Sequence, residues 1–335
     1  MLSRINKIFI LSFVALANCI QASAQDPQLS QFYAAPIYTN PAFVGSTKKI
    51  RFSASGRNQY SALNNSFLTS VAAIDAYIRP LHGGIGLMAL ADRAGDGQLT
   101  RISLSGIYSY NLNINRDWTV NAAIQGSYLQ QGYDFSRLVF PDMLDDIRGA
   151  VLSTNEPNRN ENKSFMNFGT GIMAYNANFY GGVAVHNLLE PNQSFFNPNG
   201  DAAELRLPRR YTVHAGINID IVKSRNEANR IFLSPNVLFM QQRNFYQMNL
   251  GFYLKRQNIT LGGWFRQTSR NTDALIFLIG LRLPSFRLGY SYDFTVSDAR
   301  AATGGSHEIS IGFEIKTKVR NNMNRFGKPI KCPEF

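Results

Sequence analysis

Histidines are common at catalytic and metal sites, but their spacing in this chain indicates neither. The four histidines lie far apart, and none is at metal-ligand spacing from another or from a cysteine: His82, His186, His214 and His307. His214 and His307 are interpreted as residues on the polar faces of strands. Their expected role is hydrogen bonding inside the fold.

The loops that superficially resemble ligand-binding motifs are incomplete. Residues 83–86 carry three glycines, yet they lack the lysine and the following helix of a phosphate-binding loop. Residues 92–97 resemble the start of a calcium loop without its later ligands, so they are predicted to form a turn. We therefore expect no catalytic residue, no metal site and no cofactor, and predict that the protein is not an enzyme.

The first residues indicate export from the cytoplasm. Arg4 and Lys7 precede an apolar stretch over residues 8–16, and residues 22–24 supply the small side chains that a signal peptidase accepts. We predict cleavage after Ala24. The alternative is lipid attachment at Cys19. After cleavage at Ala24, Cys332 would be the only cysteine, which excludes an intramolecular disulfide.

The chain is basic, with 34 Lys and Arg against 22 Asp and Glu. A basic protein can bind nucleic acid, but an exported protein rarely meets it, so no nucleic-acid partner is expected. The basic residues are interpreted as scattered along strands and turns, apart from one concentration over residues 316–331. That tail is either solvated or a docking surface.

Alternation of apolar and polar residues is the main structural signal. Over residues 211–221 every second side chain is apolar, and the residues between them are small or polar. The pattern recurs over residues 286–295 and 309–316. Because successive side chains of a strand point to opposite faces, each segment should form a strand with one apolar face. Repeated segments of about ten residues of this kind are typical of transmembrane β-barrels.

Fourteen such segments, with a margin of two, predict an all-β fold, a transmembrane antiparallel β-barrel. They begin near Ile50, Ser66, Gly86, Leu99, Trp118, Phe165, Phe179, Tyr211, Ile231, Phe245, Ile259, Ala274, Phe286 and Ser306. An even number leaves both ends of the barrel sequence in the periplasm, so the odd-numbered connections should be external and longer. Residues 274–283 fit least well, because both of their faces are apolar.

Four parts of the chain follow from these patterns: a signal peptide over 1–24, an irregular segment over 25–49, the barrel over 50–317 and a basic periplasmic tail over 318–335. Prolines 27, 36 and 41 disfavour a strand in the irregular segment. This segment either plugs the lumen, anchored by Phe32, Tyr33, Tyr38 and Phe43, or leads in from the periplasm.

Basic residues on the polar strand faces are predicted to line the lumen: Arg51, Arg57, Arg101, Arg266 and Arg287. They could bind anions or an acidic peptide segment. Alternatively, they only solvate or brace the interior of the barrel.

Stretches near both ends of the chain resemble a known family. Residues 25–33 read QDPQLSQFY and residues 36–45 read PIYTNPAFVG, while residues 289–294 read GYSYDF and residues 305–310 read GSHEIS. Residues 138–142, LVFPD, form a further matching stretch. Together these stretches resemble the PorP/SprF family of type IX secretion system membrane proteins. The resemblance offers these residues as contacts for a partner or for a plug: Gln31, Phe32, Tyr33, Asn40, Pro41, Ala42, Phe43, Gly45, Tyr292, Asp293, His307 and Glu308.

This resemblance implies a protein of the Gram-negative cell outer membrane that takes part in protein secretion, often coupled to gliding or adhesion. Its expected partners are outer-membrane lipid, other type IX secretion components and exported adhesin-type proteins. An Asn-Pro-Ala opening such as residues 40–42 also occurs in fatty-acid-transporter-type barrels. A passive barrel for small-solute uptake is therefore the alternative function, and a soluble glycan-binding sandwich is a third.

Overall fold

The computed structural model describes residues 26–62, 67–95, 99–115, 117–134, 141–145, 149–150, 153–154, 162–195, 206–222, 230–269, 272–296 and 304–315. In these residues, fourteen antiparallel strands form one sheet. They are β1 (Ile50–Gln59), β2 (Phe67–Ile78), β3 (Gly83–Ala94), β4 (Leu99–Asn113), β5 (Thr119–Tyr133), β6 (Asn162–Tyr175), β7 (Phe179–His186), β8 (Arg210–Ile217 and Ile219–Val222), β9 (Ile231–Gln242), β10 (Phe245–Arg256), β11 (Ile259–Thr268), β12 (Thr272–Arg282), β13 (Phe286–Thr295) and β14 (Ser306–Ile315).

The sheet closes on itself, because β1 pairs with β14 as well as with β2. Ile50 lies opposite Ile315 and Gln59 opposite Ser306, so the two strands pair along their whole length. Closure leaves no unpaired strand edge, which is the condition for a sheet to cross lipid. The predicted strand number is confirmed, and the predicted starts differ from the observed ones by at most three residues.

The two faces of the barrel are the reverse of those of a soluble protein. Large apolar side chains point outward, as Ile124 and Ile315 do with 65% and 62% of their surfaces exposed. Polar side chains such as Ser109 and Asn121 point inward and are fully buried. An apolar outer surface of this extent on a closed sheet matches a lipid environment.

The strand that fits the pattern least, β12, is apolar on both faces for a local reason. Its outward side chains, such as Phe277 and Ile279, are exposed like those of the other strands. Its inward side chains Ile276 and Leu278 belong to a buried apolar cluster that also contains Phe32 and Tyr33 of the N-terminal segment. The inner face of β12 is therefore apolar because it belongs to an apolar cluster inside the barrel.

The connections differ between the two ends of the barrel. The near mouth is defined here as the end where β1 begins and β14 ends, and the far mouth is the opposite end. Long connections over residues 134–161 and 187–209 lie at the far mouth, and the former contains a two-stranded ladder of Leu144–Asp145 with Gly149–Ala150. Short connections, such as residues 176–178 and 257–258, lie at the near mouth. This difference agrees with the predicted parity for most connections. The exceptions are those that the sequence already indicates: residues 223–230 make a longer connection between strands that meet at the near mouth, and residues 243–244 and 269–271 make short ones at the far mouth.

Within the ranges that the structure describes, helical structure is confined to short pieces. An α-helix, α1, spans Pro36–Thr39, and single 3-10 turns occur at Pro41–Phe43, Arg79–Leu81 and Pro141–Met143. In the described residues, no helix has the length and apolar character needed to cross a membrane.

Candidate functional site

Residues 26–49, the luminal segment, pack against inward-facing side chains from all around the barrel. Their partners include Asp75 on β2, Asn121 on β5, His214 on β8 and Glu308 on β14. A segment that contacts opposite walls of a closed sheet lies inside it. The interpretation of this segment as a plug concerns the passage of solutes and stays a prediction.

The luminal segment runs from one mouth to the other. Asp26 contacts Arg101 near the start of β4 and Gln242 at the end of β9, both at the far mouth. Gly45 contacts Asp75 near the end of β2, at the near mouth. The first described residue therefore lies at the end of the barrel opposite to the one where β1 begins.

A buried ion cluster joins this segment to the seam of the barrel. The Arg57 Nη2 and Arg266 Nη1 atoms lie 2.8 and 2.9 Å from Asp293 Oδ2, and Arg57 Nη1 lies 3.5 Å from Glu308 Oε2. Ser30 donates its backbone N–H to Glu308 over 2.6 Å and its hydroxyl to Asp293 over 2.6 Å. All four charged side chains are at most 3% exposed.

The charges of this cluster balance, with two guanidinium groups facing two carboxylates. Such a balance is needed because a buried charge without a partner costs several kcal/mol. The Gln31 amide completes the junction: it donates to the Ser291 hydroxyl and the Glu308 carbonyl over 3.1 and 2.8 Å, and it accepts from Ser310 over 2.6 Å. The SQF, GYSYD and GSHEI stretches, distant in sequence, therefore meet at one place.

An aromatic cluster lies next to the ion cluster. The Phe32 ring meets the Trp264 ring edge to face, with centroids 4.6 Å apart. Tyr33 makes edge-to-face contacts with Tyr180 and Tyr253, with centroids 5.7 and 6.1 Å apart. Such pairs contribute about 0.5–1.5 kcal/mol each beyond the burial of their area. The sequence pattern missed Trp264, Tyr253 and Tyr180 as partners, although all three fall on inward-facing positions.

Asn40 explains the Asn-Pro-Ala motif. Its Oδ1 atom accepts from the Ala42 N–H over 2.9 Å and so caps the 3-10 turn that begins at Pro41. Its Nδ2 atom donates to the Ile172 and Val183 carbonyls, both over 3.3 Å. The wall is recessed here, because a Cβ at Gly171 would lie 2.1 Å from Asn40 Oδ1.

The rest of the motif also touches the wall. The Phe43 ring stacks on the His214 ring with centroids 5.1 Å apart, and the Asn121 amide donates to the Ala42 carbonyl over 3.1 Å. His214 therefore faces inward as interpreted, and its Nε2 atom is 3.1 Å from Asn40 Nδ2.

Gly45 needs to be glycine for two reasons. Its φ of +71° favours a residue without a Cβ, and a Cβ there would lie 2.7 Å from Gly84 Cα. Its N–H donates to Asp75 Oδ2 over 2.8 Å, and the same carboxylate pairs with Arg51 Nε over 2.8 Å. Gly84 and Gly86 thus make room for the luminal segment, since a Cβ at either would lie within 3.0 Å of Gly45 or Val44.

Asp26 is held at the far mouth by two arginines. Arg101 Nη1 and Arg210 Nη1 lie 3.1 and 3.5 Å from its carboxylate oxygens, and Asn187 donates to it over 2.9 Å. Burial alone would raise the pKa of Asp26, but Arg210, Arg101 and the Asn187 hydrogen bond together lower it below 3.8. Asp26 is therefore a carboxylate at neutral pH.

Tyr38 shares one of these partners. Arg210 Nη1 donates to its hydroxyl over 2.8 Å, and the guanidinium carbon lies 4.6 Å from the centre of its ring. Burial raises the pKa of Tyr38 to about 12, although Arg210 opposes the shift. The phenol is therefore neutral and hydrogen-bonds to the Pro27 carbonyl.

The five arginines predicted to line the lumen all face inward, and each one pairs with a carboxylate. Arg51 pairs with Asp75, Arg57 with Asp293 and Glu308, Arg101 with Asp26, Arg266 with Asp293 and Arg287 with Glu314. The carboxylates come from other strands or from the luminal segment, so sequence neighbours gave no sign of the pairing.

Tyr292 and His307 lie away from the rest of the candidate residues. The Tyr292 ring is 5.0 Å from the His307 ring, and the Tyr290 hydroxyl is 2.8 Å from His307 Nδ1, on the outer face of the barrel. The interpretation of His307 as a residue of the polar face is wrong. His307 is two residues from Ile309, which points outward, so the strand parity places both on the outer face.

The remaining predicted positions fall partly outside the described residues. The signal peptide, its cleavage site, the tail and both cysteines lie outside them, as do residues 138–140 of the LVFPD stretch. Within the described part of the chain, no group of three or more His, Cys, Asp or Glu side chains is placed to hold a metal ion.

Solved structures of other barrels resemble this fold at low sequence identity. The Acinetobacter baumannii outer membrane protein Omp33 matches with 10% identity over 80% of this chain and 100% of its own, at a TM-score of 0.43. The TodX deltaS2S3 mutant monoaromatic hydrocarbon channel matches with 10% identity over 84% of this chain and 94% of its own, at a TM-score of 0.48. A Pseudomonas aeruginosa FadL homologue matches with 11% identity over 79% of this chain and 89% of its own, at a TM-score of 0.40.

No curated protein matches this chain, but a family model does. A family model described as type IX secretion system membrane protein PorP/SprF matches residues 21–313, nearly the whole chain. The chain therefore belongs to the PorP/SprF family.

Proposed function

We propose that the protein is a non-enzymatic outer-membrane component of the type IX secretion system. It supports the export or surface attachment of proteins such as gliding or adhesion factors, and it acts by binding other proteins. Family membership supports the secretion role. The partners are other secretion components and exported adhesin-type proteins.

The contacts between the luminal segment and the barrel wall are the observation that supports a binding role. The luminal segment joins the wall through the ion cluster, the aromatic cluster and Asn40, and it spans the lumen from mouth to mouth. A cavity of about 60 Å³ beside it is lined by Asp26, Tyr38, Arg101, Gln125 and His186. This volume suits a few water molecules, and it is far smaller than the sites of about 300–1,000 Å³ that take drug-sized ligands.

A gene deletion tests the proposal. Secreted and surface-attached proteins of the deletion strain are compared with those of the parent and of a strain complemented with the full chain. We expect loss of one or more exported proteins, restored by complementation, with small-solute uptake unchanged. An unchanged set of exported proteins together with a growth defect on one nutrient would favour the alternative, a solute-uptake barrel.

The basic tail, residues 318–335, is proposed to contact a periplasmic secretion component. The support is its charge, which includes Lys318, Arg320, Arg325, Lys328 and Lys331. A chain that ends at residue 318 should assemble as a barrel and lose secretion. Full secretion by that shortened chain would remove this role from the proposal.

A further inference from the structure

The two arginines that hold Asp26 at the far mouth are themselves fixed by other groups. Arg210 Nη1 donates to the Tyr38 hydroxyl over 2.8 Å, and Arg210 Nη2 donates to the Tyr38 carbonyl over 3.1 Å. Arg101 Nη2 donates to Gln193 Oε1 over 3.0 Å. None of these contacts involves Asp26, so both guanidinium groups remain held when its carboxylate moves away.

The two amide side chains that bind Asp26 also have partners of their own. Asn187 Nδ2, which donates to the Asp26 carboxylate, donates to the Pro208 carbonyl over 3.2 Å, and Asn187 Oδ1 accepts from Asn167 over 2.9 Å. Gln242 Oε1 accepts from the Asp26 backbone N–H over 2.9 Å, while Gln242 Nε2 donates to the same Pro208 carbonyl over 3.1 Å. The barrel wall therefore presents an ordered set of donors for a carboxylate. Binding to groups that are already ordered costs little conformational entropy.

Asp26 lies farther from its arginines than Asp293 of the ion cluster does. The Asp26 carboxylate is 3.1 Å from Arg101 Nη1 and 3.5 Å from Arg210 Nη1. In contrast, Asp293 Oδ2 is 2.8 Å from Arg57 Nη2. Charge-assisted hydrogen bonds between arginine and carboxylate are ordinarily about 2.7–2.9 Å long. Asp26 therefore leaves part of the binding capacity of its two arginines unused.

The cavity of about 60 Å³ beside Asp26 gives a second carboxylate room to bind these groups. Arg101, Arg210 and Gln125 line this cavity together with Asp26. Among the described residues, the buried atoms Arg210 Nε and Gln125 Oε1 have no hydrogen-bond partner. A carboxylate in this cavity can accept from Arg210 Nε, which Asp26 does not reach. Such a group would use the fork of donors through which arginine binds carboxylates most strongly.

Exchange at this site requires movement of only the first described residues of the luminal segment. Asp26 lies at the mouth with 11% of its side chain exposed, so solvent already reaches it. Its release breaks the hydrogen bond from the Tyr38 hydroxyl to the Pro27 carbonyl. The next anchor along the segment is Ser30 in the ion cluster, and Asn40 holds the segment farther on. The rest of the segment can therefore stay in place while Asp26 leaves.

We propose that this far-mouth site binds an acidic side chain of another protein, which takes the place of Asp26. Asp26 itself identifies the chemistry that the site recognises, namely a carboxylate whose own backbone N–H reaches Gln242. The proposal deepens the proposed secretion role, because it names the group by which an exported protein would be held at the mouth expected to face outside. It rests on that role only for the identity of the partner, since the exchange can be measured on the purified barrel.

The test uses a fluorescent peptide that repeats residues 25–30 of the chain, QDPQLS, and a control peptide with asparagine in place of its aspartate. Fluorescence anisotropy measures binding to the full mature chain in detergent. Asp26→Asn removes the internal competitor and keeps the shape of the side chain. We expect it to strengthen binding of the aspartate peptide by about tenfold or more, because the competent, unoccupied site becomes more populated. The asparagine peptide should bind weakly to both chains.

Glu190→Gln is the matched control, because Glu190 pairs with Arg209 at the same mouth and its loss changes the net charge equally. It should alter the affinity by less than about twofold. Adding Arg101→Gln to Asp26→Asn should reverse the gain, and the heat-dependent gel shift of barrels confirms folding of each variant. Equal affinities of the parent and the folded Asp26→Asn variant, or an equal gain with Glu190→Gln, would overturn the proposal. Neither outcome would bear on the secretion phenotype of the gene deletion, which tests the proposed function separately.

Discussion

At the scale of single residues, the central feature is the ion cluster that ties Ser30 to Asp293 and Glu308. Glu308 is fully buried, receives two backbone N–H groups and faces Arg57. Glu308→Gln keeps the shape but removes the charge, and it should lower the free energy of unfolding by about 3 kcal/mol, because Arg57 loses part of its compensation in a buried site.

Glu190→Gln is the control for that substitution. Glu190 pairs with Arg209 at the surface, with the two side chains 34% and 46% exposed. The loss there should be about 0–1 kcal/mol. Denaturant unfolding of the refolded barrels compares the two variants. Equal losses in the free energy of unfolding would contradict the claim that the buried ion cluster holds the luminal segment to the wall.

Asp26 makes the stability of the barrel depend on pH. The pKa of Asp26 is below its ordinary value of 3.8 in the folded state. Its contribution to the free energy of unfolding is therefore fully present above pH 3.8 and is lost as the pH falls through the folded pKa. Asp26→Asn should therefore lower the thermal midpoint near neutral pH. The difference in thermal midpoint between the variant and the parent should shrink below pH 3.8. A difference that persists unchanged in acid would show that the charge of Asp26 plays no part.

Gly171 tests the recess that receives Asn40. A Cβ at this position would lie 2.1 Å from Asn40 Oδ1, whereas a Cβ at Gly56 would meet nothing within 4 Å. Gly171→Ala should lower the free energy of unfolding by about 1–3 kcal/mol, because the added methyl group overpacks the recess. Gly56→Ala should leave that free energy unchanged or raise it slightly. Limited proteolysis of the luminal segment measures its release. Equal protection in both variants would mean that Asn40 can move without cost.

At the scale of elements, the path of the luminal segment has a consequence for topology. Asp26 lies at the far mouth and Ile315 at the near mouth. With the long connections outside the cell, an epitope placed directly before Gln25 should be reached by antibody on intact cells. An epitope after Phe335 should be reached only after permeabilisation. Protection of both epitopes on intact cells would contradict this path.

Most strands could be predicted from the sequence, because alternation in a barrel reports directly on lipid-facing and lumen-facing positions. Even the exception, β12, follows from tertiary packing, since Ile276 and Leu278 belong to the same buried cluster as Phe32 and Tyr33. Alternation does not fix the strand boundaries, as Gly83 shows: β3 begins there and not at Gly86. Glycine carries no sign of the face on which it lies.

The candidate residues were harder to predict, because their partners are hundreds of positions away. Ser30 and Glu308 are 278 residues apart, and only closure of the sheet brings them together. The inward positions of Arg57 and Arg266 followed from parity, but their pairing with Asp293 did not. His307 was misplaced because its polarity suggested the inner face, although the parity of Ile309 indicates the outer one.

At the scale of the whole molecule, the N-terminal segment of the chain lies inside the barrel and contacts its wall. On the proposed function, this feature favours a scaffold over a pore. It follows from the way in which the closed sheet gathers residues from the two ends of the chain.

Conductance in a planar lipid bilayer tests the central claim most directly, namely that the barrel is a closed scaffold. The full mature chain should be nearly silent. A matched variant, in which residues 28–44 are replaced by a flexible linker of equal length, should conduct. The variant must first be shown to fold, by its heat-dependent gel shift. Stable conductance of the parent chain, at the level of the segment-replaced variant, would contradict the account and favour a solute channel.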